Sequence, residues 1–306
     1  MATGWRLIGI VVLLALMWHV GVGQLSRVLL GVDPRALVIS VLLTSGVLLL
    51  RAWRWRILCD GLDIHLPMGD AIRLYLLGTF VASITAGRVG DLAKAYYLRD
   101  RRPEAGLAAG IATVAYDRFL DFGQISALAL GAIVVLPWVP ANIGPLLVLL
   151  GLTGFIIGTV WRPTREGLMA RPLNWALRRL PGADGLTPPV PPAANVLWAQ
   201  VLTLVSLISL AGASVVLARG LSITTPTWSL TVLSALGALV SLMPITILGI
   251  GTRDALYVAA APLLGVSRET MLALSLLILT MYVFKSITGW IAWILSPAQE
   301  RRPPKP

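Results

Sequence analysis

The stretch Ile245-Thr246-Ile247-Leu248-Gly249-Ile250-Gly251-Thr252-Arg253-Asp254 decides how this chain folds. It follows the apolar run Trp228–Met243 and Pro244, and it precedes another short helical run, Ala255–Leu264. Proline removes a backbone donor and glycine loosens the backbone, so one straight helix does not run through it. In lipid, each amide or carbonyl left unpaired by such a break costs several kcal/mol. The break is tolerated only where protein or a water-filled cavity surrounds it, so the segment reads as a re-entrant, broken helix. A second stretch has the same design. The apolar run Ala71–Ala86 contains Ile84-Thr85, breaks at Gly87-Arg88-Val89-Gly90-Asp91, and resumes as Leu92–Leu98.

The rest of the 306 residues supplies the bilayer that such breaks require. Hydrophobic residues make up 57% of the chain and charged ones 13%, with a mean hydropathy of +0.83. A soluble domain carries about 25% charged residues, so too few polar side chains remain to coat a water-soluble globule. The fold class is an all-α polytopic membrane protein. A spanning helix needs about 20 mostly apolar residues. Leu7–Gly23, Ala36–Leu50, Ala105–Leu136, Ile143–Trp161, Ala194–Ala218 and Met271–Leu295 supply six full spans beside the two re-entrant ones. No small-x-small cleavage site follows Leu7–Val20, so that run reads as a retained first span. A single cysteine, Cys59, excludes an internal disulfide and a Cys-based zinc cluster. Two histidines, His19 and His65, are too few for a His-rich metal centre. No metal and no cofactor is expected, and His19 reads as a packed side chain.

Lys and Arg number 25 against 14 Asp and Glu, a formal charge of +11. In a membrane protein this excess reports cytoplasmic loops and anionic headgroups rather than nucleic acid. Basic residues gather in Arg88–Glu104, in Arg162–Pro192 and in the tail at Arg301, Arg302 and Lys305, whereas Pro137–Pro145 carries no charge. The positive-inside rule places both basic stretches and both termini in the cytoplasm of a multi-pass cell-membrane protein. The proline-rich segment 162–193 divides a single 1–306 membrane domain into halves 1–161 and 194–306. Arg51, Arg54 and Arg56, interleaved with Trp53 and Trp55, read as boundary anchors on the cationic side.

The two breaks resemble each other: Ile-Thr, then glycines, one arginine and an aspartate. About thirty residues beyond each acid, inside a long apolar helix, lies another cation: Arg118 within Tyr116-Asp117-Arg118-Phe119-Leu120-Asp121, and Lys285 after Tyr282. The run after Asp91 is strongly basic, whereas the run after Asp254 holds only Arg268 and Glu269. The halves therefore insert with opposite topology, as an inverted repeat. The amide ends of half-helices favour an anionic group. Each charge near a bilayer centre costs at least about 2.5–3.5 kcal/mol, so the charges kept there are the candidate site. Arg88, Arg118, Arg253 and Lys285 suit a phosphate headgroup. Asp91, Asp117, Asp121 and Asp254 suit pairing with those cations or binding an amine. Asp117 and Asp121 share a helix face, and Arg118 and Asp121 are spaced to pair. Two plainer readings stand beside this one: a pairing cluster that only fastens helices, and arginines that snorkel to water. Asp91 and Asp254 also fit as caps of the half-helices that follow them.

The order of Arg54-Trp55, the Gly87–Asp91 break, Ala95-Tyr96-Tyr97-Leu98, Asp117-Arg118 and Gly249–Asp254 resembles the lysylphosphatidylglycerol synthase transmembrane-region family, a flippase-like membrane domain. The resemblance covers nearly the whole chain, and the glycine–Arg–acid motif of the second half is its most specific element. The family pattern has a Pro and Gly-Gly-Asp at the first break and Arg-Glu at the second, where this chain has Gly87-Arg88-Val89-Gly90-Asp91 and Arg253-Asp254. The resemblance implies a lipid translocase that moves an anionic, aminoacylated or glycosylated phospholipid, or a polyprenyl-phosphate lipid, between leaflets. It also implies a membrane part without the soluble catalytic domain of the synthases, and so no enzyme. Two alternatives carry over. One is an accessory membrane subunit that binds a lipid synthase or glycosyltransferase through its basic linker. The other is an intramembrane lipid-phosphate enzyme with Mg²⁺ on Asp117 and Asp121.

Overall fold

A computed structural model describes residues 4–85, 90–103, 106–135, 144–161, 189–242 and 246–295. All regular structure among these residues is helical. In chain order the α-helices are α1 (Gly4–Val20), α2 (Val22–Leu30), α3 (Pro34–Asp60), α4 (Met68–Ile84), α5 (Ala93–Arg101) and α6 (Gly106–Val135). They continue as α7 (Gly144–Val160), α8 (Ala193–Gly220), α9 (Thr227–Leu242), α10 (Thr252–Ala260) and α11 (Arg268–Ile294). Three are long and apolar enough to cross a bilayer: α3, α8 and α11. Helix α6 has 30 residues but carries Asp117, Arg118 and Asp121 along its length. The segment 162–188, expected as the basic linker, lies outside the described residues.

The first expected span is corrected. Leu7–Gly23 is not one helix: α1 ends at Val20, and α2 leaves it at 89°. The cause is Gly21, whose φ of 92° is available to glycine and rare for other residues.

Local sequence accounts for the long helices. Asp33 starts α3: its carboxylate accepts from Arg35 N at 2.9 Å, and Pro34 occupies the first helical position, where no amide partner is lost. Ser267 does the same for α11, its hydroxyl accepting from Thr270 N at 3.2 Å. Helices α3 and α8 end in the same turn, written Gly61-Leu62-Asp63-Ile64-His65-Leu66-Pro67 and Gly220-Leu221-Ser222-Ile223-Thr224-Thr225-Pro226. Asp63 and Ser222 both have φ 59°. Ile64 N donates to Cys59 O at 3.0 Å and Ile223 N to Ala218 O at 2.9 Å, closing the carbonyls that each helix end leaves open. Each turn leads through its proline into a short helix of 17 or 16 residues, α4 or α9, and past a break into one of nine, α5 or α10.

The chain packs as two compact units. One takes Met1–Val47, Ala82–Val89 and Leu207–Ile287; the other takes Leu48–Val81, Gly90–Ser206 and Thr288–Pro306. In the first, Leu217, Ile223, Leu230, Leu233, Tyr257, Met271, Leu274 and Ile278 form the main core. In the second, Trp55, Ile64, Leu66, Leu74, Tyr75, Leu77 and Leu98 form one. Within the first unit Asp33 N donates to Gly220 O at 3.0 Å and Ser40 Oγ to Ala213 O at 3.1 Å. Within the second, Asn195 Nδ2 donates to Ile57 O at 2.9 Å. Within the first unit, the chain from Asp33 to Ser40 thus runs antiparallel to that from Ala213 to Gly220.

Candidate functional site

Helix α6 presents Thr113, Asp117, Asp121 and Gln124 at spacings of four, four and three residues, which places them on one face. All four are buried. Opposite them on α3 stands Arg54, fully buried. Its Nε and Nη2 both donate to Asp117 Oδ1, at 2.9 and 2.5 Å. Its Nη1 donates to Asp121 Oδ1 at 2.5 Å and to Thr203 Oγ1 on α8 at 3.0 Å. The reading of Arg54 as a boundary anchor is therefore corrected. One turn earlier, Arg51 lies 3.5 Å from Asp121 Oδ2. Only Arg56, on the other side of the helix, is substantially exposed and paired locally with Asp60.

Lys94, assigned by its sequence neighbours to a basic loop, is also fully buried. Its ammonium donates to Asp117 Oδ2 at 3.0 Å, lies 3.6 Å from Asp91 Oδ1, and sits over the rings of Tyr75 and Trp55 at 4.5 and 5.6 Å. Gly78 on α4 makes this possible, because a Cβ there would occupy the space of the Lys94 stem. Trp55 is fixed by its indole N–H, which donates to Thr113 Oγ1 at 3.1 Å.

Arg118 completes the cluster from its edge. It donates to Asp117 Oδ2 at 2.7 Å, to the Tyr75 hydroxyl at 3.4 Å, and lies 3.4 Å from both Asp91 Oδ2 and Asp121 Oδ2. The carboxylates are divided in a regular way. Their Oδ1 atoms at 117 and 121 belong to Arg54, and their Oδ2 atoms face Lys94, Arg51 and Arg118. The side chain of Arg118 is 25% exposed, that of Arg51 11%, and those of Arg54 and Lys94 not at all. Below this set, Gln124 donates to the carbonyl of Gln200 at 3.0 Å and to its side-chain oxygen, and Gln200 donates to Thr159 Oγ1 at 2.6 Å.

The second break builds a different arrangement in the other unit. Leu248, Gly249 and Gly251 have φ of 53°, 73° and 80°, which turns the chain into α10. Asp254 Oδ2 accepts from Gly251 N at 2.8 Å, so this acid does cap its helix. Its Oδ1 accepts from Ser275 Oγ at 2.6 Å and from Arg253 Nη2 at 3.2 Å. Arg253 Nε donates to Ser275 Oγ at 2.9 Å and Nη1 to Leu248 O at 3.4 Å. Arg253, Asp254 and Ser275 are all buried. Tyr282 carries Arg253 at 5.6 Å and Lys285 at 4.2 Å from its ring centroid. Gly9 on α1 packs its backbone directly on Gly251.

Of the eight residues singled out by sequence, Asp91, Asp117, Arg118 and Asp121 come together in one unit, and Arg253, Asp254 and Lys285 in the other. Arg88 lies outside the described residues. Asp91 differs from Asp254 in that α5 has no side-chain cap: its carboxylate faces Lys94 and Arg118 instead. Arg54 and Lys94 were missed. The signal for Lys94 was present as a spacing, since Gly78 stands to Lys94 as Gly237 stands to Arg253, and Gly237 also has that arginine's stem against it.

Similar proteins include UPF0104 membrane proteins of Pyrococcus horikoshii (24% identical over 153 residues, 49% of this chain and 45% of that one) and Methanothermobacter thermautotrophicus (28% over 132 residues, 42% and 37%). A third, from Methanocaldococcus jannaschii, is 26% identical over 117 residues, 38% of this chain and 34% of that one. Each match spans less than half the length of the relative. The pattern of the family described as "Lysylphosphatidylglycerol synthase TM region" matches residues 6–289, which takes in both breaks and both charge clusters. The chain is a multi-pass membrane protein and belongs to the lysylphosphatidylglycerol synthase transmembrane-region family.

Proposed function

We propose that this protein is a lipid translocase, not an enzyme, and that it binds a phosphate-bearing headgroup at the edge of the α3–α5–α6 cluster while the acyl chains stay in lipid. One observation carries the reading. Among the described residues, four cations, Arg51, Arg54, Lys94 and Arg118, face three carboxylates, Asp91, Asp117 and Asp121. An uncompensated positive charge at membrane depth is costly, and a phosphodiester would supply the missing negative charge. Arg118 is the cation exposed enough to meet it, and a guanidinium fork suits phosphate oxygens. The same crowding weighs against Mg²⁺ on Asp117 and Asp121, whose oxygens already face guanidinium and ammonium groups.

The first unit contributes a scaffold and a further cation. Arg253, Asp254 and Ser275 satisfy one another and hold the turn, and Lys285, beside Tyr282, is assigned to phosphate. Arg88, at the first break, is assigned to phosphate. The two Gly-Leu-x-Ile-x-x-Pro turns, the closely similar helix lengths after them and the antiparallel pairing of residues 33–40 with 213–220 support an inverted repeat with two re-entrant segments. Loop arginines support cytoplasmic termini in the cell membrane. The family's description, which names a region of a synthase, favours a second reading, an accessory subunit of a lipid or glycan synthase.

The test is leaflet movement of fluorescent phosphatidylglycerol in vesicles containing the purified chain. Arg118→Ala should slow it at least tenfold while the protein elutes as folded wild type. An unchanged rate overturns translocation through this site. Under the accessory reading, Arg118→Ala is silent, and neutralising the arginines at 165, 171, 178 and 179 abolishes a partner's activity.

A further inference from the structure

Asp91 stands apart from the other two acids of the cluster. Asp117 and Asp121 are each clamped at Oδ1 by the buried Arg54. Asp91 has no comparable clamp. Its Oδ1 lies 3.6 Å from Lys94, and its Oδ2, 3.4 Å from Arg118 Nε, is buried without a hydrogen bond. Arg118 Nε is likewise without one. The two groups face each other at ion-pair distance without bonding geometry. Asp91 is also the acid that lies off the long helices, on the turn leading into α5.

From this contrast we infer that Asp91 is a built-in placeholder for the ligand's phosphate: its carboxylate holds Arg118 until an arriving phosphate oxygen displaces it. The inference rests on the phosphate reading of the cluster and adds a sign to it. Arg54 keeps Asp117 and Asp121 in place, and these two acids hold Arg118 from the other side, so its guanidinium stays aimed at the edge when Asp91 leaves. The exchange trades one anion for another on Arg118 and so avoids exposing an unpaired cation at membrane depth. It also releases the turn that carries Asp91, which connects headgroup binding to the re-entrant segment. A placeholder competes with the ligand, so its removal strengthens binding. A residue that merely positions Arg118, or that contacts the ligand itself, gives the reverse.

The experiment titrates dioctanoyl phosphatidylglycerol, and separately inorganic phosphate, onto the purified full chain in detergent. Wild type is compared with Asp91→Asn, Asp91→Glu, Asp117→Asn and Arg118→Ala. Asp91→Asn is expected to tighten binding about five- to tenfold, the scale of one partly buried ion pair. Asp91→Glu, which keeps the carboxylate, should stay near wild type, and Asp117→Asn should weaken binding. Tightening for the lipid alone identifies a lipid-borne phosphate, and tightening for both a site open to free phosphate; either supports the placeholder. Unchanged or weaker binding of both probes by Asp91→Asn, with Arg118→Ala still losing affinity, overturns the placeholder and leaves the phosphate site standing. Wild-type affinity in Arg118→Ala overturns the site itself. Thermal unfolding of each variant shows that the comparison is made between folded proteins.

Discussion

A guanidinium with no exposed surface persists in a membrane protein only when its donors are taken, and Arg54 meets that condition with Asp117, Asp121 and Thr203. Removing one partner of a buried ion pair costs about 3–5 kcal/mol, because the other charge is left uncompensated. Arg54→Gln is therefore expected to lower the unfolding temperature of the purified protein sharply, and Asp117→Asn in the same chain to recover part of the loss. An unchanged unfolding temperature for Arg54→Gln would contradict the arrangement. The sequence around Arg54 hides this role, since Trp53, Trp55 and Arg56 are what an interfacial belt looks like. Helical spacing separates them. Arg51 and Arg54 are three apart and share the face turned to α6, whereas Arg56 is 38% exposed at its side chain. Trp53 is about half exposed and Trp55 wholly buried. A belt of mixed arginines and tryptophans can thus contain one inward pair, which a composition-based reading averages away.

At the scale of elements, the two broken helices were legible because glycine and proline interrupt apolar runs too short to span. They are 17 and nine residues long around the first break and 16 and nine around the second, against expected runs of Ala71–Ala86 and Leu92–Leu98, and of Trp228–Met243 and Ala255–Leu264. What the sequence pattern did not separate is their different use of an acid. Asp254 caps α10 through Gly251 N, while Asp91 looks to cations on its own turn and on α6. Gly251 is the residue the second turn depends on. Its φ of 80° lies where a side chain is strained, at a cost of about 1–3 kcal/mol, and a Cβ would strike the backbone of Gly9. Gly251→Ala is accordingly expected to destabilise the folded protein by at least about 1 kcal/mol and to shift its unfolding midpoint downward. Wild-type stability would show that the turn is free to rearrange. The break between α1 and α2 escaped notice for a related reason: Gly21 sits near the end of an apolar run that continues through Val22, so hydropathy alone gives no boundary there.

Across the whole molecule, the decisive regularity is the turn Gly-Leu-x-Ile-x-x-Pro, which occurs at 61–67 and again at 220–226 with the same hydrogen bonds and the same φ of 59° at its third position. The proposed repeat was argued from its weaker end, in glycines and a shared Arg–acid pair, while this longer match carries no charged chemistry that would draw attention to it. The match also changes which residues correspond. At the spacing that superposes the two turns, and Gly78 on Gly237, the partner of Arg253 is Lys94, not Arg88. Both are buried cations against a glycine of the preceding helix, and both lie near a tyrosine ring. The proposed inverted repeat requires the two turns to face opposite sides of the bilayer. Single-cysteine labelling tests this directly. With Cys59, the chain's one cysteine, replaced by serine, a cysteine is placed at His65 in one variant and at Thr224 in another. In intact cells a membrane-impermeant maleimide should label the Thr224 variant, and the His65 variant should react only after the membrane is opened, as the basic residues beside α3 require. Labelling of both from the same side would rule out the inverted repeat, and with it the pairing of Lys94 with Arg253.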